Sequence, residues 1–184
     1  NKIIKHISPK HPLTNMRSHC MDKALRAKVS LFNPIHFLAL GFGSGLAPKA
    51  PGTFGSLAAI PLLLLIAQTQ TWWFVALAIF VCVMGIWICD KTAYDMGVHD
   101  HGSIVWDEIA GMFCAFIFVP LSWDTLLLGF LLFRWLDIQK PWLIGRLEKA
   151  MKGGLGIMAD DILAGVITAL LLHLYLVLLL FYPS

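Results

Sequence analysis

The chain has 184 residues, of which 58% are hydrophobic and only 14% charged, and its mean hydropathy is +0.75. Soluble domains of this length carry about a quarter charged residues, so the composition excludes an ordinary soluble protein and indicates a membrane protein. The formal net charge is +3. Since no segment has the character of a soluble nucleic-acid-binding module, we expect no nucleic-acid partner, and the sequence indicates no obligate protein partner.

The amino-terminal segment is strongly basic. Residues 1–34 contain seven Lys or Arg residues and a single acid, Asp22. By the positive-inside bias this segment lies in the cytoplasm, and it could also bind anionic lipid. We therefore predict two parts: a basic, flexible arm over residues 1–32 and one helical membrane domain over residues 33–184.

After a short apolar piece beginning at Asn33, the chain enters a stretch rich in Gly and Pro, Gly41–Ser56 (GFGSGLAPKAPGTFGS). This composition predicts an irregular loop, whose backbone groups must face water, protein or a ligand. A plain connecting loop is one interpretation. We favour a phosphate-contacting loop, because backbone N–H groups, Lys49, Thr53 and Ser56 are suitable donors. The GxxxxGK[ST] pattern of a Walker loop is absent.

Apolar segments alternate with polar zones in the rest of the chain, at Ser56–Ala67, Trp72–Cys89, Ile109–Trp123, Thr125–Phe133 and Ile162–Tyr182. The 18 residues of Trp72–Cys89 would span about 27 Å as a helix, which is close to the thickness of a bilayer core. We predict spans here and over Ile162–Tyr182, while Ser56–Ala67 is short enough to be re-entrant.

The polar zones are predicted to emerge on one side of the membrane. One apolar hairpin separates the Gly41–Ser56 loop from the Asp90–Glu108 zone, and a second separates that zone from Arg134–Asp161. The third zone is basic, so we place this side, with the amino terminus, in the cytoplasm.

Two similar phrases carry adjacent acids. Ser103–Gly111 reads SIVWDEIAG and Gly156–Gly165 reads GIMADDILAG. Adjacent side chains on a helix diverge by about 100°, so one acid of each pair could face a shared centre while its neighbour contacts another group. The phrases predict a metal site assembled from two helix ends, and the oxygen-only ligands Asp107, Glu108, Asp160 and Asp161 suit Mg²⁺. The alternative is that these acids cap helix amino-termini.

A third motif, Phe133–Trp142 (FRWLDIQKPW), places Arg134, Asp137 and Lys140 at successive i, i+3 steps on one helical face. The spacing alone leaves two interpretations equally open. One is an interfacial ladder of salt bridges. In the other, Arg134 and Lys140 bind phosphate oxygens while Asp137 ligates metal or orients a base.

The chain resembles the phosphatidylglycerophosphatase A family of bacterial inner-membrane lipid phosphatases. The resemblance rests on GFGSGLAPKAPGTFGSL, HDHGSIVWDEIAGM, FRWLDIQKPW and GGLGIMADDILAG, which occur in the family's order. It implies an all-α fold of about six helices, one central and surrounded by the others, with the active site at the cytoplasmic ends. It also implies Mg²⁺-dependent hydrolysis of phosphatidylglycerol phosphate, met in the cytoplasmic leaflet, to phosphatidylglycerol and phosphate.

The residues and the resemblance agree on a mechanism. A phosphomonoester dianion needs charge neutralisation, an activated water and a proton for the leaving oxygen. We predict that Lys49, Thr53, Arg134 and Lys140 bind the phosphate and that Asp100 or His101 acts as general acid or base. The remaining predicted catalytic residues are Asp107, Asp137 and Asp161. A covalent phospho-aspartate route stays open, although the DxDx[TV] phrase is absent.

The main alternative from another functional class is an ion or metal transporter. Transporters place acids at mid-membrane depth within their spans, whereas the acids here are predicted at helix ends. A CDP-alcohol phosphotransferase would need a DGx₂ARx₈Gx₃Dx₃D run, which the chain lacks.

Overall fold

The structure is a computed structural model that describes residues 26–98, 101–141, 144, 151 and 153–181. Within these residues the regular secondary structure is entirely helical, which confirms the predicted all-α class. Most of the predicted basic arm lies outside the described residues. A 3₁₀ helix covers Gly41–Leu46, and the α-helices are α1 (Pro34–Ala39), α2 (Pro51–Ile66), α3 (Thr71–Met96), α4 (Trp106–Ala115), α5 (Trp123–Gln139) and α6 (Gly153–Phe181).

The predicted irregular loop is shorter than expected, because helical turns occupy both of its ends. Its first part forms the 3₁₀ helix, interrupted where Phe42 and Gly43 adopt positive φ angles of 59° and 95°. Its last part belongs to α2, which starts at Pro51, a residue whose fixed φ suits the first helical position. Only residues 47–50 remain irregular.

Two helices are long and apolar enough to cross a membrane in the part of the chain that is described, α3 and α6. In their most apolar stretches only 33% and 22% of residues are buried inside the protein, so most of these apolar side chains face outwards. Such a surface is typical of contact with lipid or another apolar partner. Helix α2 is apolar but shorter.

Helix α6 begins earlier than the predicted span Ile162–Tyr182. It starts at Gly153, so Asp160 and Asp161 lie two turns inside the helix rather than at its end. The prediction of two helix ends is therefore wrong for the second acid pair. The glycine-rich residues Gly153–Gly156 form the first turn of the helix.

Helix α4 packs against α2, α3, α5 and α6. All of its residues are buried except Asp107 and Glu108, which are half-buried in its first turn. The predicted apolar hairpin of Ile109–Trp123 and Thr125–Phe133 corresponds to α4 and α5. Helix α4 ends at Ala115, and α5 begins after Ser122, whose side chain forms a capping box with Thr125. The core around α4 thus holds one pair of acids at a fixed place.

Candidate metal and phosphate site

Helices α4 and α6 touch at the Ala-Gly pairs that end the two similar phrases. A Cβ atom on Gly165 would lie 2.3 Å from the carbonyl oxygen of Gly111, and one on Gly111 would lie 2.8 Å from that of Asp161. Real Cβ atoms do not approach backbone this closely, so both positions require glycine. The close crossing brings the acids of α4 next to those of α6.

Three carboxylates meet beside this crossing. One oxygen each from Asp107, Glu108 and Asp161 lie within 4.8 Å of one another. Asp161 is buried and the other two are half-buried. Asp107 Oδ1 also accepts the backbone N–H of Glu108 at 3.1 Å, so the capping interpretation holds in part for this acid. It does not hold for Asp161, which lies in the interior of α6.

The second acid pair diverges as the helical geometry predicts. Asp161 faces the carboxylate cluster (Asp107, Glu108 and Asp161), whereas Asp160 Oδ2 accepts a hydrogen bond from Lys140 Nζ at 2.6 Å. Lys140 ends α5 with a left-handed backbone (φ 41°). Lys140, predicted to bind phosphate, is therefore paired with Asp160 in this structure.

Arg134 connects α5 to the cluster. Its Nη1 forms an ion pair with Asp137 one turn along α5 and lies 3.9 Å from Glu108 Oε1. The Asp137 carboxylate lies near Glu108 and Asp161 and repels both. The predicted face of α5 thus contains a salt bridge between Arg134 and Asp137 and also borders the carboxylate cluster, so the two interpretations of this motif are compatible.

Two buried polar atoms at this place have no hydrogen-bond partner among the described residues: Glu108 Oε2 and Arg134 Nε. A buried polar atom without a partner is unfavourable by about 1–3 kcal/mol, more when charged, so such atoms mark positions where a ligand is expected. The carboxylate oxygen suits a cation and the guanidinium N–H suits an anion. Together they fit a metal ion and a phosphate group side by side.

The Gly41–Ser56 segment reaches the site through the first turn of α2. A Cβ atom on Gly52 would lie 2.2 Å from Glu108 Oε1 and 3.2 Å from Arg134 Nη1, so the backbone of α2 passes directly over these two side chains. Thr53 follows in the same turn, and Lys49 lies exposed three residues before Gly52. Ser56 is buried and donates to the Gly52 carbonyl at 3.0 Å, so its hydroxyl stabilises α2 instead of facing a ligand.

Burial raises the pKa of both acids in the first turn of α4. The pKa of Asp107 lies well above its ordinary value, first because of burial and then because of the neighbouring Glu108 charge. The pKa of Glu108 is raised to about 7, with burial as the main cause and the Asp137 charge adding to it, while the hydrogen bond with Asp107 and the Arg134 charge act in the opposite direction. Carboxylates placed this way bind either protons or a cation.

His101 lies in the turn before α4. Its Nδ1 accepts the Ser103 N–H at 3.2 Å, so in the neutral ring the proton resides on Nε2. This arrangement favours His101 as a proton or hydrogen-bond donor rather than as a base. Asp100, the other predicted acid or base, lies outside the described residues.

Two further contacts join distant parts of the chain. Asp90 of α3 accepts the Gly154 N–H of α6 at 2.9 Å, and Asp95 Oδ2 lies 3.1 Å from Nε2 of the buried His36. Sequence reasoning indicated neither contact. Neither partner lies within a helical turn of the other, so no local spacing in the sequence could have indicated these contacts.

Comparison with known proteins agrees with the motifs. The family model described as PgpA: Phosphatidylglycerophosphatase A matches residues 37–176. The chain belongs to the phosphatidylglycerophosphatase A family. The phosphatidylglycerophosphatase A of Escherichia coli is 48% identical over 151 residues, covering 80% of this chain and 87% of that protein. The protein of the same name from Haemophilus influenzae is also 48% identical, over 141 residues that cover 76% of this chain and 86% of the relative. No solved structure matches the chain.

All the residues of the site lie within the part that matches the family. Lys49 to Asp161 fall between residues 37 and 176, and residues 1–36 and 177–184 lie outside. The resemblance read from the four motifs is thereby confirmed at the level of the family.

Proposed function

We propose that this protein hydrolyses the terminal phosphomonoester of phosphatidylglycerol phosphate, giving phosphatidylglycerol and inorganic phosphate. The observation that carries the proposal is the contact between a carboxylate cluster and the half-buried Arg134, each with one buried polar atom that has no partner among the described residues, in a chain of this family.

Mg²⁺ fits the donor set. Asp107, Glu108 and Asp161 offer three carboxylate oxygens close together, and Glu108 Oε2 has no other partner. Asp137 borders the same cluster and is a further candidate ligand, while Asp160 is turned towards Lys140. When bound here, Mg²⁺ would neutralise phosphate charge and make a water more acidic.

The phosphate would lie between the cluster and the cations of α5. Arg134 supplies a half-buried, planar set of donors, which suits a phosphate with oxygens spread over one face. Lys140 can release Asp160 to contact the anion, and further donors are Thr53 in the first turn of α2 and Lys49 just before that turn. Neutralising the dianion at this place stabilises the charge that develops as the ester bond breaks.

Proton transfer falls to the segment before α4. His101 carries an N–H at Nε2 in its neutral form and can donate a hydrogen bond to the departing glycerol oxygen, which takes up the proton released by the attacking water. Asp100 is the neighbouring candidate for activating the water. These roles are assigned from residue chemistry and from their place in the chain next to Asp107.

We further propose a multi-pass protein of the bacterial inner membrane, with amino terminus and site on the cytoplasmic side and α4 as the central helix. Support comes from the outward-facing apolar surfaces of α3 and α6, from the basic amino-terminal segment and from the packing of four helices around α4. This placement exposes the site to a lipid whose headgroup is made from cytosolic precursors.

The transporter alternative receives no support from the comparisons. The predicted position of all four acids at helix ends argued against a transporter, but Asp160 and Asp161 lie inside a long apolar helix. The family membership decides against it, since the named relatives are phosphatases.

Phosphate release from purified protein in detergent micelles tests the proposed activity. With Mg²⁺ we expect release from phosphatidylglycerol phosphate, and none after EDTA treatment. Phosphatidic acid tests whether the glycerol leaving group is selected, and glycerol 3-phosphate tests whether the acyl chains are needed. Absence of release with any divalent metal would contradict the proposal.

A further inference from the structure

The side chain of Asp90 joins the amino-terminal turn of α6 to α3. Asp90 Oδ1, on α3, accepts the backbone N–H of Gly154 at 2.9 Å. The first N–H groups of a helix have no partner within the helix, and an acid near them is favoured by the helix dipole. Asp90 therefore caps a helix that is 64 residues away in the chain.

Glycines make this contact close. A Cβ atom on Gly154 would lie 1.9 Å from the Ile86 carbonyl oxygen, and one on Gly153 would lie 2.7 Å from Asp90 Oδ1. Gly153 also has a positive φ of 69°, which turns the chain into the helix. The backbone of α6 thus rests directly on α3 at this point, with no intervening side chain that could absorb a shift.

The acids of α6 lie between this contact and the crossing with α4. Asp161 comes seven residues after Gly154, and Gly165, which touches Gly111, comes four residues later. Two backbone contacts on either side fix how far α6 is rotated and how far it is advanced along its axis. Loss of the first contact loosens the two turns of α6 that lead to Asp161, while the crossing with α4 and the packing on α3 and α5 remain.

We infer that Asp90 is a positioning residue, which sets the orientation of Asp161 in the carboxylate cluster by accepting the Gly154 N–H. The inference rests on the proposed metal site. Asp90 contacts neither substrate nor metal in this account, so its effect on metal binding passes through the first two turns of α6.

The test compares Asp90→Ala with Asp90→Asn in the full-length protein in detergent. The Asn side chain can still accept the Gly154 N–H, whereas Ala cannot. Asp124→Ala is the matched control, because Asp124 accepts a hydrogen bond from Tyr175 and so contacts the opposite end of α6. Two readouts are used, neither of them phosphatase activity: amide hydrogen exchange over residues 153–160 without metal, and Mn²⁺ binding followed by electron paramagnetic resonance.

We expect Asp90→Ala to accelerate exchange over residues 153–160 and to weaken Mn²⁺ binding by about fivefold or more, as for the loss of a helix cap next to a metal site. Asp90→Asn should restore most of both properties, and Asp124→Ala should match the wild type in both. Faster exchange with unchanged Mn²⁺ affinity would reduce Asp90 to a helix cap and overturn the inference. So would an Asn variant as defective as the Ala variant. If the proposed metal site itself is wrong, the result differs: the wild type binds no Mn²⁺, whatever the exchange rates.

Discussion

Adjacent acids have different surroundings in this site. Asp161 joins Asp107 and Glu108, while Asp160 forms an ion pair with Lys140. The 100° step between neighbouring residues on a helix accounts for this difference, and it was predictable from the sequence. In the first pair, Asp107 and Glu108 both reach the cluster, which the 100° step did not predict. The longer side chain of Glu108 compensates for its different direction on the helix.

Arg134 should not be replaceable by lysine. Arg134→Lys keeps the positive charge but loses the planar set of donors, including the buried Nε, so we expect phosphate release to fall by about 10²-fold. Arg26→Lys, a change at an exposed position, is the matched control and should retain full activity. An Arg134→Lys enzyme as active as the control would show that only the charge is needed.

The stability of the metal-free protein should depend on pH through Glu108. Its pKa of about 7 in the folded protein lies above the ordinary 4.5. Between these values the folded protein binds more protons than the unfolded chain, so the free energy of unfolding falls as pH rises. In EDTA we expect the melting temperature to decrease from about pH 5 to about pH 8, and Mg²⁺ to recover part of the loss at pH 8.

The variant Glu108→Gln checks this assignment. It removes the titrating group, so its melting temperature in EDTA should depend less on pH than that of the wild type. An unchanged slope would assign the pH dependence to other groups.

At the scale of helices, the repeated phrase has a structural meaning beyond its acids. The Ala-Gly pairs at the ends of the two phrases form the crossing of α4 and α6, through Gly111 and Gly165. The sequence predicted the acids because their residue types indicate metal binding. It did not predict the crossing, because the partner of a small residue on an apolar helix is decided by packing between distant segments.

Other elements were missed for related physical reasons. The sequence did not indicate that α6 starts at Gly153, because two adjacent glycines destabilise an isolated helix. In the structure, contacts with Asp90 and Ile86 offset this destabilisation. The sequence did not indicate the start of α2, because Gly52 and Gly55 are unfavourable in an isolated helix. In the structure they lie where α2 packs on Glu108 and Val105. Tertiary contacts override local propensity at both places.

Gly165→Ala tests the crossing. The added Cβ would lie 2.3 Å from the Gly111 carbonyl oxygen, so α4 and α6 must separate. We expect a loss of about 1–3 kcal/mol in unfolding free energy, as for other overpacked cores, together with weaker Mg²⁺ activation. Val166→Ala, at the next and exposed position, should change neither property. Equal behaviour of the two variants would contradict the role given to the crossing.

For the whole molecule, many large apolar side chains are exposed, which is typical of contact with lipid or another apolar partner. Exposed large side chains such as Trp72, Trp73 and Leu65 lie near the α2–α3 connection, far along the chain from the acids. The sequence indicated membrane association through its composition and through the length of its apolar segments. The number of crossings depends on how the shorter helices α2, α4 and α5 are placed, which apolar length does not decide.

Cysteine labelling tests the proposed orientation. In intact cells whose outer membrane has been made permeable, a membrane-impermeant maleimide should label Gln70→Cys above the level of the parent chain and should not label Lys49→Cys. Both positions are exposed. Disruption of the inner membrane should make Lys49→Cys reactive. The reverse pattern would place the site on the outer side.

The central claim is that Asp107, Glu108 and Asp161 hold the metal that phosphate release requires. The most direct measurement compares Mn²⁺ binding and Mg²⁺-dependent phosphate release in Asp161→Asn and Asp160→Asn, two isosteric changes at adjacent residues. We predict that Asp161→Asn loses both properties, whereas Asp160→Asn retains Mn²⁺ binding close to that of the wild type. Wild-type metal binding and phosphate release in a folded Asp161→Asn variant would contradict the account.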